Sequence, residues 1–388
     1  MSQQYREQRS RTAAQRSRPG AQRSHAGARR PRPARRSSSA GRGLIGGSIL
    51  AVVVLGAALV VAVLLTSRGT QDARMISTFT VPGSSFSING VASVAFSPDG
   101  KVLAAADSNG VYLWDVASAG KKPAILDDPG SQGADSVQFS PNGQTLAVGD
   151  ADGDTYVWDI ATTHLVATLT DPSTASGSGV QGVAFSPDGS TIATGDGDGS
   201  TYLWSASTDR RIGLPLTDPF SVSDGVEAIA FSPNGALLAS GDGDGSTYLY
   251  DLATGHDIAT LADPSGQGVN SVSFSPNGRM LADGDGNGNA YLWDVTSGHL
   301  VASLAVAGAK AVKSVTFSPN GKMLAVGDDN GIAYLWDVAA SAAPHQPSTA
   351  LTGPGAKSVN SVAFSPDGSM LAAGDGDDAA VLWQVPTG

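Results

Sequence analysis

The chain has no cysteine in its 388 residues. Disulfides, thiol nucleophiles and Cys-based zinc or iron–sulfur centres are thereby excluded, so packing alone must hold the fold. Charged residues are sparse at 15%, and aromatics make up 6%. Residues 75–388 contain a single Glu (Glu227) and three Arg (Arg210, Arg211 and Arg279). An enzyme that needs converging His, Glu or Arg side chains has little to build with there. What is plentiful is Gly, with 49 residues, and Pro, with 21. That balance suits an all-β protein rich in tight turns.

Charge is divided unevenly along the chain. Residues 1–42 hold twelve Arg and one acid, Glu7. Residues 75–388 hold 33 acids against ten Lys and Arg, and the net charge is −11. Such a division marks regions that face different surroundings. Residues 1–42 show no apolar periodicity and are predicted to be a disordered basic tail, because they bury too little to offset ordering entropy. Leu44 to Leu65 carry no charge, and at 1.5 Å rise per residue they span roughly 33 Å, enough to cross a bilayer. The expected layout is a cytoplasmic tail at 1–42, a transmembrane helix at 43–67, a linker at 68–74 and a folded region at 75–388. The Arg-rich side stays cytoplasmic, which makes this a single-pass protein of the cell membrane with 75–388 outside the cytoplasm. The tail also suits anionic headgroups, at about 1 kcal/mol per residue near the surface. Nucleic acid is not expected as its partner, since Tyr5 is its one stacking side chain. The Ala/Gly/Arg-rich usage is associated with bacteria of GC-rich DNA.

The region from residue 75 repeats itself. Phe-Ser-Pro-(Asp/Asn)-Gly begins at Phe96, Phe139, Phe185, Phe231, Phe274, Phe317 and Phe364, at spacings of 43, 46, 46, 43, 43 and 47. A period of this length with short strands is a propeller signature. Each unit reads as a strand ending in Phe, a Pro-Asp-Gly turn, a strand carrying Leu-Ala, an Asp/Gly-rich turn, a third strand ending near Trp-Asp, and a fourth strand. The Phe-to-Trp distance is 18 in the first unit and 19 in the others. The last unit has only three strands before the chain ends. Residues 75–81, which alternate like the other fourth strands, are expected to supply the missing one and so remove an open edge.

These units resemble the WD-repeat β-propeller family. The resemblance rests on Trp114-Asp115, Trp158-Asp159, Trp293-Asp294 and Trp336-Asp337, with the variants Trp204-Ser205, Tyr250-Asp251 and Trp383-Gln384. It implies a seven-bladed, four-stranded ring around a channel that acts as a partner-binding platform without chemistry of its own. In the family, a His ahead of the first strand joins a Ser/Thr, a turn Asp and the Trp in a buried hydrogen-bonded tetrad. No repeat here has that His. Gly255-His256 and Gly298-His299 fall after the third strand instead, as does His164. Either another group replaces the His or the tryptophans simply pack.

No catalytic residues and no cofactor are expected. The Gly-x-Gly strings join two strands, whereas a phosphate loop needs a helix N-terminus after it. The acidic turns are the feature with functional promise. The expected partner-binding rim comprises Asp150, Asp152, Asp196, Asp198, Asp242, Asp244, Asp285, Asp328, Asp375 and Asp377, with Asp128, Asp171, Asp218 and Asp263 from the loops between units. Such a ring attracts a protein partner with a basic surface. The plainer reading is that Asp serves turn geometry and solubility. Calcium is an alternative, but Asp-x-Asp-Gly lacks the bidentate acid of a calcium loop. The expected function is a non-catalytic, membrane-anchored scaffold or sensor. The alternatives are a ligand- or metal-binding propeller, a propeller enzyme, or a structural protein of the cell envelope.

The charge division sets up a topology test. Protease added outside intact cells is expected to cut within 68–388 and to spare the Arg-rich tail. The opposite pattern reverses the orientation.

Overall fold

The structure is a computed structural model describing residues 73–82, 90–127, 129, 133–172, 179–217, 225–306, 308–339, 346–355 and 357–386. The expected tail at 1–42, the span at 43–67 and most of the linker at 68–74 lie outside these residues. No helix among the described residues is long and apolar enough to cross a membrane.

Seven antiparallel sheets follow one another, each ordered first to fourth strand from the centre outward. Blade 1 comprises Ser93–Phe96, Val102–Asp107, Gly110–Asp115 and Ala124–Asp127, and blade 2 Ala134–Phe139, Thr145–Asp150, Asp154–Asp159 and His164–Thr170. Blade 3 comprises Val180–Phe185, Thr191–Asp196, Ser200–Ser205 and an outer strand split into Arg210–Arg211 and Leu216–Thr217. Blade 4 is Val226–Phe231, Leu237–Asp242, Ser246–Asp251 and His256–Ala262, and blade 5 Val269–Phe274, Met280–Asp285, Asn289–Asp294 and Leu300–Ala305. Blade 6 is Val312–Phe317, Met323–Asp328, Ile332–Asp337 and Thr349–Thr352. Blade 7 takes Val359–Phe364, Met370–Asp375 and Ala379–Gln384 from the chain's end, and Arg74–Thr80 from before the first repeat. This last strand pairs Met75 with Trp383 and Thr80 with Ala379. Its Phe79 is buried and packs on Trp114 of blade 1, with ring centroids 5.6 Å apart. The first strands touch their neighbours in a closed cycle, so the channel wall has no open edge.

Each letter of the repeated motif has a mechanical role. In Phe139-Ser-Pro-Asn-Gly143, Ser140 donates to Asn142 Oδ1 at 2.8 Å and accepts from Thr145 N at 3.0 Å. Gly143 sits at φ 70°, the left-handed region that a side chain disfavours, and a Cβ there would lie 3.3 Å from Pro98 of the preceding blade. The one-residue shortfall in the first repeat comes from its second turn. Asp107 pairs directly with Gly110, whereas in blade 2 three residues separate Asp150 from Asp154.

The hydrophobic core lies between blades. Ala104, Leu113 and Leu126 of blade 1, for example, form one cluster with Val137, Leu146 and Trp158 of blade 2. The separation of two blades is set by one pair of residues. The penultimate residue of the second strand faces the first residue of the next blade's inner strand. A methyl added at Gly241 would lie 2.7 Å from Val269 Cγ1, and one at Gly374 2.6 Å from Val91 Cγ1. The same contact recurs for Gly195 on Val226 and Gly327 on Val359. Blade 1 carries Ala106 at this position, and there the facing residue is Ala134; both are buried in one cluster. Where the glycine has gained a methyl, the valine has lost its branches. Serines reinforce this seam: Ser93, Ser136, Ser271, Ser314 and Ser361 each accept from the inner-strand Val N of the next blade at 3.0–3.2 Å.

This pairing predicts a compensated double variant. Gly241→Ala alone is expected to lower stability by about 1–3 kcal/mol through overpacking. Adding Val269→Ala to it is expected to cost much less than Val269→Ala costs alone, with a coupling of roughly 0.5–3 kcal/mol in thermal melts. Strictly additive losses would refute the fit.

Candidate functional site

The turns between second and third strands and the loops between blades share one face of the ring. Ala151 N donates to Gly133 O at 3.0 Å, Gly243 N to Gly225 O at 2.9 Å and Gly376 N to Ser358 O at 3.0 Å. The expected acidic rim lies in these turns, but the structure corrects its membership. Asp150, Asp196, Asp242, Asp285, Asp328 and Asp375 are at most 2% exposed. Each ends a second strand and turns its carboxylate inward onto the turn's own amides. Asp150 accepts from Asp152 N at 2.9 Å, Asp242 from Asp244 N at 2.8 Å and Asp375 from Asp377 N at 2.9 Å. Asp285 and Asp328 take the fourth amide as well, from Asn289 N at 2.7 Å and Ile332 N at 2.9 Å. These six hold turns and are shielded from solvent. A short Asp that satisfies amides inside its own turn gives up contact with bulk water.

Solvent-facing charge therefore falls to the second acid of each turn. Asp198 and Asp244 are exposed, and Asp152 and Asp377 are half-buried. Tyr156 and Tyr248 donate their hydroxyls to Asp152 and Asp244 at 2.6 Å, and Lys357 pairs with Asp377 at 2.7 Å. The exposed turn acids thus fall on blades 3 and 4, while Asp152, Asp329 and Asp377 of blades 2, 6 and 7 are half-buried. Among the described residues no group of three or more His, Asp or Glu is arranged to hold a metal ion. His164, His256 and His299 are exposed at the outer edges of three separate blades.

The inter-blade acids also depart from the expected rim. Asp171 and Asp263 are buried, while Asp128 and Asp218 lie outside the described residues. Asp171 accepts from Thr194 Oγ1 at 3.4 Å, and Thr194 in turn accepts from Trp204 Nε1 at 3.0 Å. A carboxyl from the preceding loop thus stands in line with the hydroxyl and the indole, where the resemblance implied a His. In blade 5, Asp283 accepts from Trp293 Nε1 at 2.7 Å and Thr247 Oγ1 at 3.2 Å, with Asp263 beside it. These two tryptophans are hydrogen-bonded as well as packed. Trp114, Trp158, Tyr250, Trp336 and Trp383 are also buried, and Trp336 Nε1 has no hydrogen-bond partner among the described residues.

Burial first, and the charge of Asp196 second, push the Asp171 carboxyl up to about 8. Asp263 is raised by burial and then by the charges of Asp283 and Asp285. Asp283 already receives two donors, so the proton of this pair rests on Asp263.

The channel opens on the same face in a cavity of about 660 Å³, lined by Asp135, Gln181, Glu227, Asn270, Lys313, Lys357 and Asn360 among others. Six of these residues, all but Lys357, arise in one way. Pairing between first and second strands slips at Ala134/Ser136, Val180/Gly182, Val226/Ala228, Val269/Ser271, Val312/Ser314 and Val359/Ser361. The residue skipped at each bulge is re-aimed into the channel. Sequence reasoning missed this ring; its signal was a position that varies between near-constant neighbours. With its amide nitrogen turned toward Glu227, Gln181 donates to Oε1 at 3.0 Å. The opposite mouth is apolar, with Phe96, Phe139, Phe185, Pro98 and Pro141 around a cavity of about 360 Å³.

A family model described as WD domain, G-beta repeat, matches residues 76–115, 125–159, 164–205, 217–251, 255–294, 298–337 and 345–384. No curated protein matches the chain significantly. The first match begins in the outer strand of blade 7 and ends on the third strand of blade 1. Repeat and blade are therefore one strand out of phase, and the ring is interlocked by its own chain.

The buried carboxyls predict a pH dependence of known sign. A folded value of about 8 for Asp171, above the ordinary 3.8, means the native state holds a proton that the unfolded chain has lost. Stability therefore falls as pH rises through this window and levels off above it. Asp171→Asn keeps a neutral acceptor for Thr194. Its melting temperature is expected to gain several degrees on the parent between about pH 5 and about pH 9. A difference that does not change with pH would show that Asp171 is charged in the fold.

Proposed function

The chain belongs to the WD-repeat family, whose propellers mediate protein interactions or scaffolding and are typically non-enzymatic, and from that premise we propose a membrane-anchored scaffold or sensor. Its partner presents a basic surface and docks over blades 2 to 4, on the face that carries the channel mouth. The observation that carries this reading is the uneven charge of that face. Asp198 and Asp244 are exposed and Asp152 half-buried on three consecutive blades, whose channel-facing residues include Asp135 and Glu227. Across the ring the corresponding turns of blades 5 and 6 offer Asn287 and Asn330, and Asp377 of blade 7 is paired with Lys357, with Lys313 also at the mouth. An arc of one sign steers a partner and fixes its register, which a uniform ring cannot do. Anchoring rests on the uncharged stretch Leu44 to Leu65 and on the Arg excess before it, which puts the propeller outside the cytoplasm.

Photocrosslinking groups placed at Asp198 and Asp244 are the test. Introduced into the full-length protein in the cells that make it, they are expected to yield an adduct with a second protein. The same group at Lys322 and Ser369, in the turns of the opposite face, is expected to yield none. Charge reversal at Asp152 together with the remaining free position should abolish the adduct. Equal adducts from both faces, or none from the acidic one, would sink the reading.

A further inference from the structure

The outer strand of blade 3 departs from the repeat in a way that the fold does not require. Outer strands carry a buried leucine near their end, eleven residues after the third-strand aromatic in Trp158 to Leu169, Tyr250 to Leu261 and Trp293 to Leu304. From Trp204 to Leu216 the count is twelve. Blade 1 also has twelve, from Trp114 to Leu126, but takes up the extra residue in its turn. There Val116–Ser118 form a 3-10 helix ahead of the unbroken strand Ala124–Asp127. Blade 3 keeps a short turn and pairs Arg210 with Ser205 and Arg211 with Trp204. The extra residue therefore falls within the strand. Gly213, at φ 68°, turns the chain outward, and Pro215 offers no amide to the ladder. Leu214 is thrown to 82% exposure, with Ile212 exposed beside it.

Cations and apolar side chains meet on this edge. Arg211 lies over the Tyr202 ring, its guanidinium carbon 5.9 Å from the ring centroid. Neither Arg210 nor Arg211 has an ion pair among the described residues. The outer strand of blade 2, next in the ring, exposes Leu165 and Val166 after His164. These two outer strands hold no acid between them. The acids at their entries are Asp159, whose carboxylate accepts from Thr162, and the exposed Asp209. Blade 4 bounds the patch, because its outer strand exposes Asp257 beside Ile258. Elsewhere residues 75–388 are dominated by acids, 33 against ten Lys and Arg. A Cβ built on Gly213 would meet nothing within 4 Å, so the excursion protrudes into open space. Leucine, isoleucine and arginine on a protruding loop suit a bilayer interface. The apolar side chains enter among the headgroups, and the guanidinium groups meet the lipid phosphates. A protein acceptor would need a socket cut to Leu214, whereas a fluid interface needs none.

We propose that the rim of blades 2 and 3 is a seat for an anionic lipid bilayer. Leu214 and Ile212 enter the interface, and Arg210 and Arg211 rest on lipid phosphates. This goes beyond the scaffold reading and does not rest on it. The scaffold partner meets the turn face, whereas lipid meets the rim. The seat would take a bilayer whether or not Leu44 to Leu65 span one.

Because the chain has no cysteine, one introduced thiol is a unique labelling site. A fluorophore is placed at Thr168→Cys, exposed on the outer strand of blade 2, or at Ala350→Cys, exposed on that of blade 6 across the ring. The full-length protein is combined with vesicles of phosphatidylcholine, or of phosphatidylcholine and phosphatidylglycerol in equal parts. A nitroxide on the phosphatidylcholine headgroup is expected to quench the Thr168→Cys label severalfold more than the Ala350→Cys label, and most strongly in the anionic vesicles. Arg210→Gln with Arg211→Gln should bring that quenching down to the level in phosphatidylcholine alone. Leu214→Ser should lower it severalfold. Equal quenching at the two sites, indifference to phosphatidylglycerol, or no response to either set of substitutions would each overturn the proposal. Emission that shifts at Thr168→Cys without quenching by lipid would mean that a protein covers this rim, and would overturn it too. The substituted side chains are exposed, so the variants are expected to melt with the parent. The two labelled sites, compared without further substitution, decide the matter even if one variant does not.

Discussion

The distance between one blade and the next governs this molecule. It is set where the second-strand glycine meets the first valine of the following blade, a contact with no room for one more carbon at Gly195, Gly241, Gly327 or Gly374. Because the blades form a closed ring, an error at one seam cannot be relieved outward; it has to be taken up at the others. This explains why the one seam that departs from the rule changes both partners together, Ala106 facing Ala134. It also explains why the ring tolerates a damaged periphery. The outer strand of blade 3 is broken around Ile212 to Pro215 and leaves Leu214 82% exposed, yet its inner three strands keep their register.

Close packing of blades also decides what happens to charge. Turns that lie between neighbouring blades bury the carboxylate ending each second strand, and those carboxylates are satisfied by hydrogen bonds donated by amides within the turn. Where two acids meet without enough donors, the answer is protonation. Asp171 beside Asp196, and Asp263 beside Asp283, occupy a place that a histidine could fill without like-charge repulsion. A carboxyl there serves only as long as it keeps its proton, so the seams before blades 3 and 5 are weakest in alkali.

Much of the fold was legible in the sequence because its signals are local. The turn Phe-Ser-Pro-Asx-Gly states its own geometry, the period counts the blades, and an alternating segment ahead of the first repeat matches the missing strand of the last. The site was legible only in part. Asp196 and Asp198 look alike as letters, and both sit in one turn. Only the fold shows that one points into the seam and the other into water. The same holds for Asp171, whose burial depends on a threonine of the next blade. The bulge was hidden for a different reason. A strand pattern of Val-x-Ser-Val reads as plain alternation, and a skipped residue becomes visible only when both partners of the ladder are known.

That bulge ties the architecture to what the protein can recognise. In an unbroken ladder the side chains of an inner strand alternate between the two faces of its own blade, and both faces are needed for packing against neighbours. None would be left for the lumen. Skipping one residue in six of the seven inner strands releases a side chain toward the axis while the rest of the strand stays in register with its second strand. The release happens at the end of the strand nearest the acidic turns, so the released residues and the exposed turn acids share a face. The opposite mouth has no such freedom: its residues are the phenylalanines and prolines of the repeated turn, which the fold itself requires. The six bulged positions can therefore diverge on this face without disturbing the seams that hold the ring closed.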